Sequence, residues 1–208
     1  MIMRDFNTPE NTINCPQCGA SLPLYFAYAK LTQCEFCNTT LFLDDASARV
    51  AGDSSILTPQ PSLIKLNQPF SYNRKNYFPM GMIRYSYGRG FWEEWWIKDN
   101  SNNEYWLSVD EGDMVLQRAI ENEEDPSIFK DTFIGQKVGS KWIISEIGTG
   151  VCEGFIGLLP KTITIGQKHK YLHLSGYHAQ LKTLEVDPLG MHTYIGKWLN
   201  PFEIAEAL

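Results

Sequence analysis

The chain has 208 residues, a length that fits one ordinary domain and one small module rather than a large multidomain enzyme. Hydrophobic side chains make up 43% of the residues, which argues against a chain that is disordered as a whole. The formal net charge of −6 suits a surface that repels nucleic-acid phosphates. A soluble globular protein is expected, and nucleic acid is disfavoured as its partner.

The sequence predicts neither a signal peptide nor a membrane span. Residues 1–14 include Arg4, Asp5 and Glu10 and lack the apolar stretch of roughly 7–15 residues that a signal peptide needs. No apolar run approaches the roughly 20 residues of a membrane-spanning helix. Four of the five cysteines form two tight pairs, which favours metal binding in the reducing cytoplasm over disulfides. We expect a cytoplasmic protein whose membrane role, if it has one, acts through a partner.

The first predicted element is a metal module over residues 1–43. Two C-x2-C pairs, separated by fifteen residues, supply four candidate ligands: Cys15, Cys18, Cys34 and Cys37. Gly19 and Asn38 follow the two pairs and tolerate the positive φ that such a turn often requires. An alternating segment at 24–28 predicts a strand that leads to the second pair. The module resembles a zinc ribbon.

Four thiolates at about 2.3 Å complete a tetrahedron and leave no position for water or substrate. The expected cofactor is therefore one structural Zn²⁺, with a redox pair or incidental disulfides as the alternatives. The first 50 residues carry three basic and five acidic side chains. This balance disfavours nucleic-acid binding and favours a ribbon that contacts protein or caps a neighbouring domain.

A linker and a β domain are predicted to follow the ribbon. Residues 44–62 are rich in Gly, Ser, Asp and Pro and predict the linker. From residue 63 to 208, apolar and aromatic runs alternate with turn residues, including Gly88–Gly90 and Gly148–Gly150. The predicted strands are 63–66, 77–85, 91–98, 105–109, 114–119, 141–147, 151–156, 162–165, 171–174, 180–186 and 193–199. Pro201 predicts a short C-terminal helix, and the fold class is mainly β with antiparallel strands.

A faint internal echo suggests two related halves, 63–126 and 127–200. Residues 66–70 resemble residues 134–138, and residues 88–94 resemble residues 148–153. Each echo is expected to place a turn before a strand. Duplication and a single undivided β domain both remain open at this point.

The strongest aromatic cluster supplies the candidate ligand or partner residues: Trp92, Glu94, Trp96 and Trp106. On a strand, residues 92, 94 and 96 share one face. One interpretation is a core strand whose acids form hydrogen bonds at its edge. Another is a groove that holds a cationic ligand through cation–π and carboxylate contacts, and an exposed form of the cluster would suit a Lys- or Arg-bearing partner.

No catalytic set is recognisable, so no catalytic residue is assigned and a non-enzymatic role is favoured. His169 and His173 have a spacing that a helix could use for metal, but residues 171–174 alternate as in a strand. Cys152 beside Glu153 fits a buried small residue better than a nucleophile, because no motif supplies a base.

Together, the ribbon and several β motifs resemble the bacterial family named domain of unknown function 4178. The first motifs are W-x-E-W-x-I at 92–97 and Y-W-L at 105–107. The others are E-I-G-T at 146–149, G-L-L-P at 157–160, L-S-G at 174–176, T-L-E at 183–185 and Y-I-G-K-W at 194–198. The chain departs from the family pattern at Leu158, His173 and His192, where acids are expected, so any chemistry that those acids perform in relatives does not transfer here.

The resemblance implies a cytosolic protein in a membrane-stress or polyamine-linked system. The leading hypothesis is a zinc-binding, non-enzymatic adaptor that presents an aromatic and acidic β surface around Trp92 and Trp96 to a protein partner, which could be membrane-associated. It requires an exposed apolar patch there. The alternative is a protein or enzyme that binds a small cationic ligand, which requires a concave pocket that joins acids and aromatics.

Overall fold

The structure is a computed structural model that describes residues 9, 11–24, 29–44, 47–52, 57–121, 124–188 and 190–207. It is mainly β and antiparallel, as predicted. The described helical segments are two 3-10 turns, Pro126–Phe129 and Pro201–Glu203, and no helix in the described residues has the length and apolarity needed to cross a bilayer. Most of the predicted strand at 24–28 and most of residues 1–10 lie outside the described residues.

The N-terminal module consists of a hairpin and a three-stranded sheet. The hairpin pairs β1 with β2, and the sheet has the order β3-β4-β5. The strand bounds are β1 (Asn11–Asn14), β2 (Ser21–Leu24), β3 (Leu31–Gln33), β4 (Thr40–Asp44) and β5 (Ser47–Gly52). Strand β5 lies inside the predicted linker 44–62 and pairs with β4, so this part of the segment belongs to the module.

The remaining strands form one sheet that closes on itself. Its order is β11-β12-β13-β14-β15-β10-β9-β8-β7-β6-β16, and β12 also pairs with β7, which closes eight strands into a barrel. The bounds are β6 (Phe70–Tyr72), β7 (Lys75–Ser86), β8 (Phe91–Asp99), β9 (Glu104–Asp110), β10 (Asp113–Ile120), β11 (Lys137–Val138), β12 (Trp142–Gly157), β13 (Lys168–Ser175), β14 (Gln180–Asp187), β15 (Gly190–Leu199) and β16 (Ala205–Glu206).

Two four-stranded meanders build this barrel. Strands β7–β10 form the first and β12–β15 the second; β7 pairs with β12, and β10 pairs with β15, both antiparallel. The segment before each meander covers its outer face, with Ile64 and Phe70 on the first and Ile128 and Val138 on the second. The meanders fall within the predicted halves 63–126 and 127–200.

One of the two sequence echoes has a structural counterpart. The amide of Gln68 donates to the carbonyl of Lys65, and the amide of Gln136 donates to the carbonyl of Phe133, both at 3.2 Å. Each of these turns precedes a short strand, β6 or β11, that pairs with the first strand of its meander. The echo of 88–94 with 148–153 is wrong, because Gly88 lies in a hairpin turn whereas residues 148–153 lie within β12.

The predicted turn at Gly148–Gly150 is wrong because these glycines serve side-chain packing. A Cβ atom at Gly148 would lie 2.2 Å from the ring of Tyr171, and one at Gly150 would lie 2.1 Å from the ring of Trp92. Both rings face the barrel interior and rest against the bare backbone of β12. A glycine pair therefore marks close packing here, which sequence alone does not distinguish from a turn.

Three smaller predictions also differ from the structure. Residues 63–66 and 162–165 are not strands, because each leads into a tight turn: the amides of Gln68 and Gln167 donate to carbonyls three residues earlier. The predicted C-terminal helix is a single 3-10 turn that begins at Pro201, capped by the Asn200 side chain. The chain extends directly afterwards into β16, which pairs with β6 and ends the turn.

The cysteine module closes one end of the barrel. Leu31 in β3 exchanges backbone hydrogen bonds with Leu159 at 3.0 and 3.3 Å, in the loop that joins β12 to β13. Both leucines are fully buried, and Leu31 packs with Ile83 and Phe155 in the barrel core. A second cluster of apolar side chains joins the module to Trp96, in the second half of β8. The module is thus the floor of the barrel.

This packing predicts that Leu31→Ala destabilises the whole chain. Removing a fully buried leucine leaves a cavity in the floor, and the free energy of unfolding should fall by about 2–5 kcal/mol in urea titrations. Leu63→Ala is the matched control, because Leu63 is 64% exposed and its truncation should change stability little. Equal stabilities of the two variants would contradict the assignment of Leu31 to the core.

Candidate functional site

The four predicted cysteines converge on one point. Their sulfur atoms all lie within 4.8 Å of one another, and the Cys15–Cys37 and Cys18–Cys34 Sγ distances are both 3.7 Å. Four thiolates placed about 2.3 Å from a central ion would be about 3.8 Å apart. The cluster therefore has the dimensions of a tetrahedral metal site.

Two equivalent turns hold these sulfurs. In the first, the amide of Cys15 donates to the carbonyl of Ala20 at 2.8 Å, and in the second, the amide of Cys34 donates to the carbonyl of Thr39 at 2.9 Å. Gly19 has φ +77° and Asn38 has φ +58°, which confirms the predicted positive φ after each pair. Four protein ligands would fill the coordination shell, so the cluster can stabilise the floor but has no position for a substrate.

A second site lies inside the barrel. A cavity of about 160 Å³ opens at the end opposite the cysteine module. It is lined by alternate residues of strands in both meanders: Trp92, Glu94, Ser108, Asp110, Asp113, Val115, Gln117, Glu146, His169, Tyr171, His173, Leu181, Glu185 and Trp198. Five of these are carboxylic acids and two are histidines, so the lining is strongly acidic. Because strand side chains alternate between faces, closing the sheet turns one polar face of each strand inward.

The mouth of the cavity is built from strand ends. Asp110 ends β9, Asp113 begins β10, and Glu146 lies near the start of β12; all three are exposed. Trp198 near the end of β15 is 42% exposed and also lines the cavity. The mouth therefore presents three carboxylates and one indole ring to an entering molecule.

Glu146 is fixed by two neighbours on β13. The Tyr171 hydroxyl donates to Glu146 Oε1 at 2.7 Å, and His173 Nδ1 lies 2.8 Å from Glu146 Oε2. The hydrogen bond to His173 lowers the pKa of Glu146, with a further contribution from Tyr171. His173 therefore orients a carboxylate in the cavity.

The inner end of the cavity holds two acids with opposite pKa shifts. Burial raises the pKa of Glu94 to about 7, and the negative charge of Glu185 adds to the rise. Burial alone would raise the pKa of Glu185 too, but His169 Nε2, 3.4 Å from its carboxylate, outweighs that effect and lowers the pKa to about 2. Glu94 thus changes charge near neutral pH, whereas Glu185 stays ionised beside His169.

The structure brings the predicted aromatic cluster together only in part. Trp92 and Glu94 line the cavity, and the Trp92 indole N–H donates to Glu94 Oε1 at 3.1 Å. Trp96 is fully buried against the cysteine module, and Trp106 lies at the inner end beneath Lys161. With Trp92 only 7% exposed, these residues do not form the exposed patch that the adaptor hypothesis requires.

Sequence analysis missed most of the acids in the cavity. Asp110, Asp113, Glu146 and Glu185 lie on four different strands, and only closure of the barrel brings them to one space. The available signal was an acid within a predicted strand, as with Glu185 in β14. Cys152 was expected to be buried and is, and burial raises the pKa of its thiol to about 11, which opposes a nucleophilic role.

No family model, curated protein or solved structure matches this chain. The resemblance to domain of unknown function 4178 stays a prediction. Function is therefore argued from the cysteine cluster and the cavity themselves.

The raised pKa of Glu94 predicts a pH-dependent stability. Between its ordinary pKa of 4.5 and about 7, the folded chain binds more protons at this group than the unfolded chain, so the free energy of unfolding contributed by Glu94 falls as pH rises through that window. Glutamine at this position does not titrate. From pH 5 to pH 8, the free energy of unfolding of Glu94→Gln should therefore rise by about 1–3 kcal/mol relative to that of the parent.

Urea titrations at pH 5, 6, 7 and 8 measure this difference. Glu153→Gln is the control, because Glu153 is exposed on the barrel surface. If the parent and Glu94→Gln change in parallel with pH, the Glu94 carboxyl does not titrate in this window.

Proposed function

We propose that the barrel binds a small organic cation in its acidic cavity. The observation that carries the proposal is the convergence of five carboxyl groups from five strands on one cavity with two histidines. An engineered apolar cavity of about 150 Å³ in another protein holds benzene, so a cavity of about 160 Å³ has room for a small molecule. The mouth supplies the attraction, since Asp110 and Asp113 form no ion pair with a basic side chain among the described residues.

The inner end supports the same conclusion. Lys161, in the loop after β12, places its ammonium group 4.9 Å from the centre of the Trp106 ring, in a chamber shared with Glu94 and Glu185. The chain thus already accommodates one organic cation over an indole ring, in a chamber that two carboxyl groups also line. Toward the mouth, the Trp198 indole ring likewise lines the cavity together with carboxyl groups.

Binding of a small cation was the alternative hypothesis from sequence, and the adaptor was the leading one. The adaptor needs an aromatic surface at Trp92 and Trp96, and both side chains are buried. The cation-binding hypothesis needs a concave pocket that joins acids and aromatics, and the barrel contains one. A protein partner and a membrane-stress or polyamine-linked system stay predictions.

Calorimetric titration tests the proposal with ethylammonium, guanidinium and tetramethylammonium chlorides, and with sodium acetate as the anionic control. At least one cation should bind while acetate does not, and affinity should increase from pH 6 to pH 8 as Glu94 ionises. Asp113→Asn should weaken cation binding by about tenfold because it removes a mouth carboxylate.

Asp131→Asn is the matched control, since Asp131 is an exposed acid outside the cavity and its positive φ of 54° suits asparagine. Acetate binding, or no binding of any cation by the parent, would count against the proposal.

We further propose that the cysteine cluster holds one structural Zn²⁺. The support is the set of four thiol ligands and sulfur spacings close to those of a tetrahedral zinc site. In zinc-finger peptides, metal binding supplies on the order of 10 kcal/mol, enough to fold a module of this size. Here the folded module would keep Leu31 in the barrel floor.

Cys34→Ser should therefore lower the zinc content from one ion per chain to none and reduce the thermal stability of the barrel. Native mass spectrometry counts the zinc, and the unfolding temperature reports the barrel. Cys152→Ser is the matched control, because Cys152 lies in the barrel core, away from the cluster, and should keep the zinc. Full zinc retention by Cys34→Ser would contradict the assignment.

A further inference from the structure

One buried polar group in the cavity has no partner. Gln117 on β10 is only 3% exposed, it lines both the cavity and its inner chamber, and its side-chain oxygen Oε1 accepts no hydrogen bond. A buried acceptor without a donor is costly to the folded chain, so such an atom inside a cavity points to a ligand that supplies the donor.

Two carboxylates in the cavity already receive hydrogen bonds from N–H and O–H groups of the chain. Glu94 accepts from the indole of Trp92, and Glu146 accepts from the hydroxyl of Tyr171. These two carboxylates are therefore already engaged in directed hydrogen bonds with the chain. Gln117 Oε1 is the buried acceptor among the described cavity residues that is left for a ligand.

The aromatic residues inside the cavity do not provide a cage for a quaternary ammonium ion, and Trp198 is a single ring at the mouth. Such a cage needs free ring faces around the cation. The Trp92 ring is instead stacked on Tyr85 at 5.0 Å and on Tyr87 at 6.1 Å, and the Tyr171 ring meets it edge-on at 5.2 Å. At the inner end, the Trp106 ring is in contact with the Lys161 ammonium group.

We infer that the ligand's cationic group is an ammonium that carries N–H bonds, and that Gln117 Oε1 accepts one of them while the carboxylates of the cavity balance its charge. The inference rests on the proposed function and narrows its ligand class. Lys161 is the precedent within the chain, because its own primary ammonium lies in the same chamber as Gln117, Glu94 and Glu185. A quaternary ion has no N–H and would leave the Gln117 oxygen unpaired.

Two isomeric cations of nearly the same shape test this inference. The tert-butylammonium and tetramethylammonium ions have the same composition and charge and differ in whether the nitrogen bears hydrogen. Calorimetric titration of the full chain should give at least tenfold tighter binding of tert-butylammonium. Gln117→Met keeps the length of the side chain and removes its acceptor, so this preference should shrink by about tenfold.

Arg118→Met is the matched control, because Arg118 is the next residue on β10 and is exposed. It should keep the preference, and near-ultraviolet circular dichroism shows whether each variant retains the parent packing.

Each outcome separates the inference from the proposed function. Equal affinity for the two cations, or tighter binding of tetramethylammonium, overturns the inference and leaves cation binding intact. If neither these ions nor the earlier panel binds, the proposed function itself is overturned. An unchanged preference in a folded Gln117→Met variant overturns the assignment of Gln117 as the acceptor. If that variant does not fold, the affinities of the parent chain for the two cations still decide the ligand class.

Discussion

The pairing of β12 with β7 is the constraint on which the rest of the molecule depends. Without it, the two meanders would form an open sheet and the inward faces of β8, β9, β13 and β14 would lie in solvent. With it, acids such as Glu94 and Glu185 are enclosed, where an ionised carboxylate is costly unless a positive charge or hydrogen-bond donors compensate it. At the inner end, the His169 and Lys161 side chains provide that compensation.

Closure also explains what the sequence could and could not predict. Most strand positions, the hairpin turn at Gly88 and the cysteine turns depend on local chemistry, and the structure agrees with the predictions for them. Gly148 and Gly150 were misassigned to a turn because their need for a small residue comes from rings on β13 and β8. The cavity was missed for the same reason, since its acids meet only through pairings between residues far apart in the sequence.

The cysteine cluster was predictable because its residues form two local pairs, but its place in the molecule was not. A linker was expected to separate the ribbon from the β domain, yet β3 bonds to Leu159 and Leu31 enters the barrel core. Leu159 lies two residues before Lys161, whose ammonium group enters the inner chamber. A single loop therefore joins the floor and the acidic cavity, so the integrity of the cysteine module bears directly on the charge balance around Glu94.

That charge balance differs along the barrel, and the difference indicates where a ligand's charge would lie. At the inner end, Glu185 has His169, and Lys161 shares the chamber with Glu94, so acids and bases are matched. At the mouth, Glu146 has His173, whereas Asp110 receives a hydrogen bond from Tyr87 and Asp113 lies beside it in the neighbouring strand. Adjacent like charges repel and destabilise the folded chain. Folding gains nothing from leaving that repulsion in place, whereas a bound cation would relieve it, so the mouth carboxylates fit a role in binding better than a role in stability.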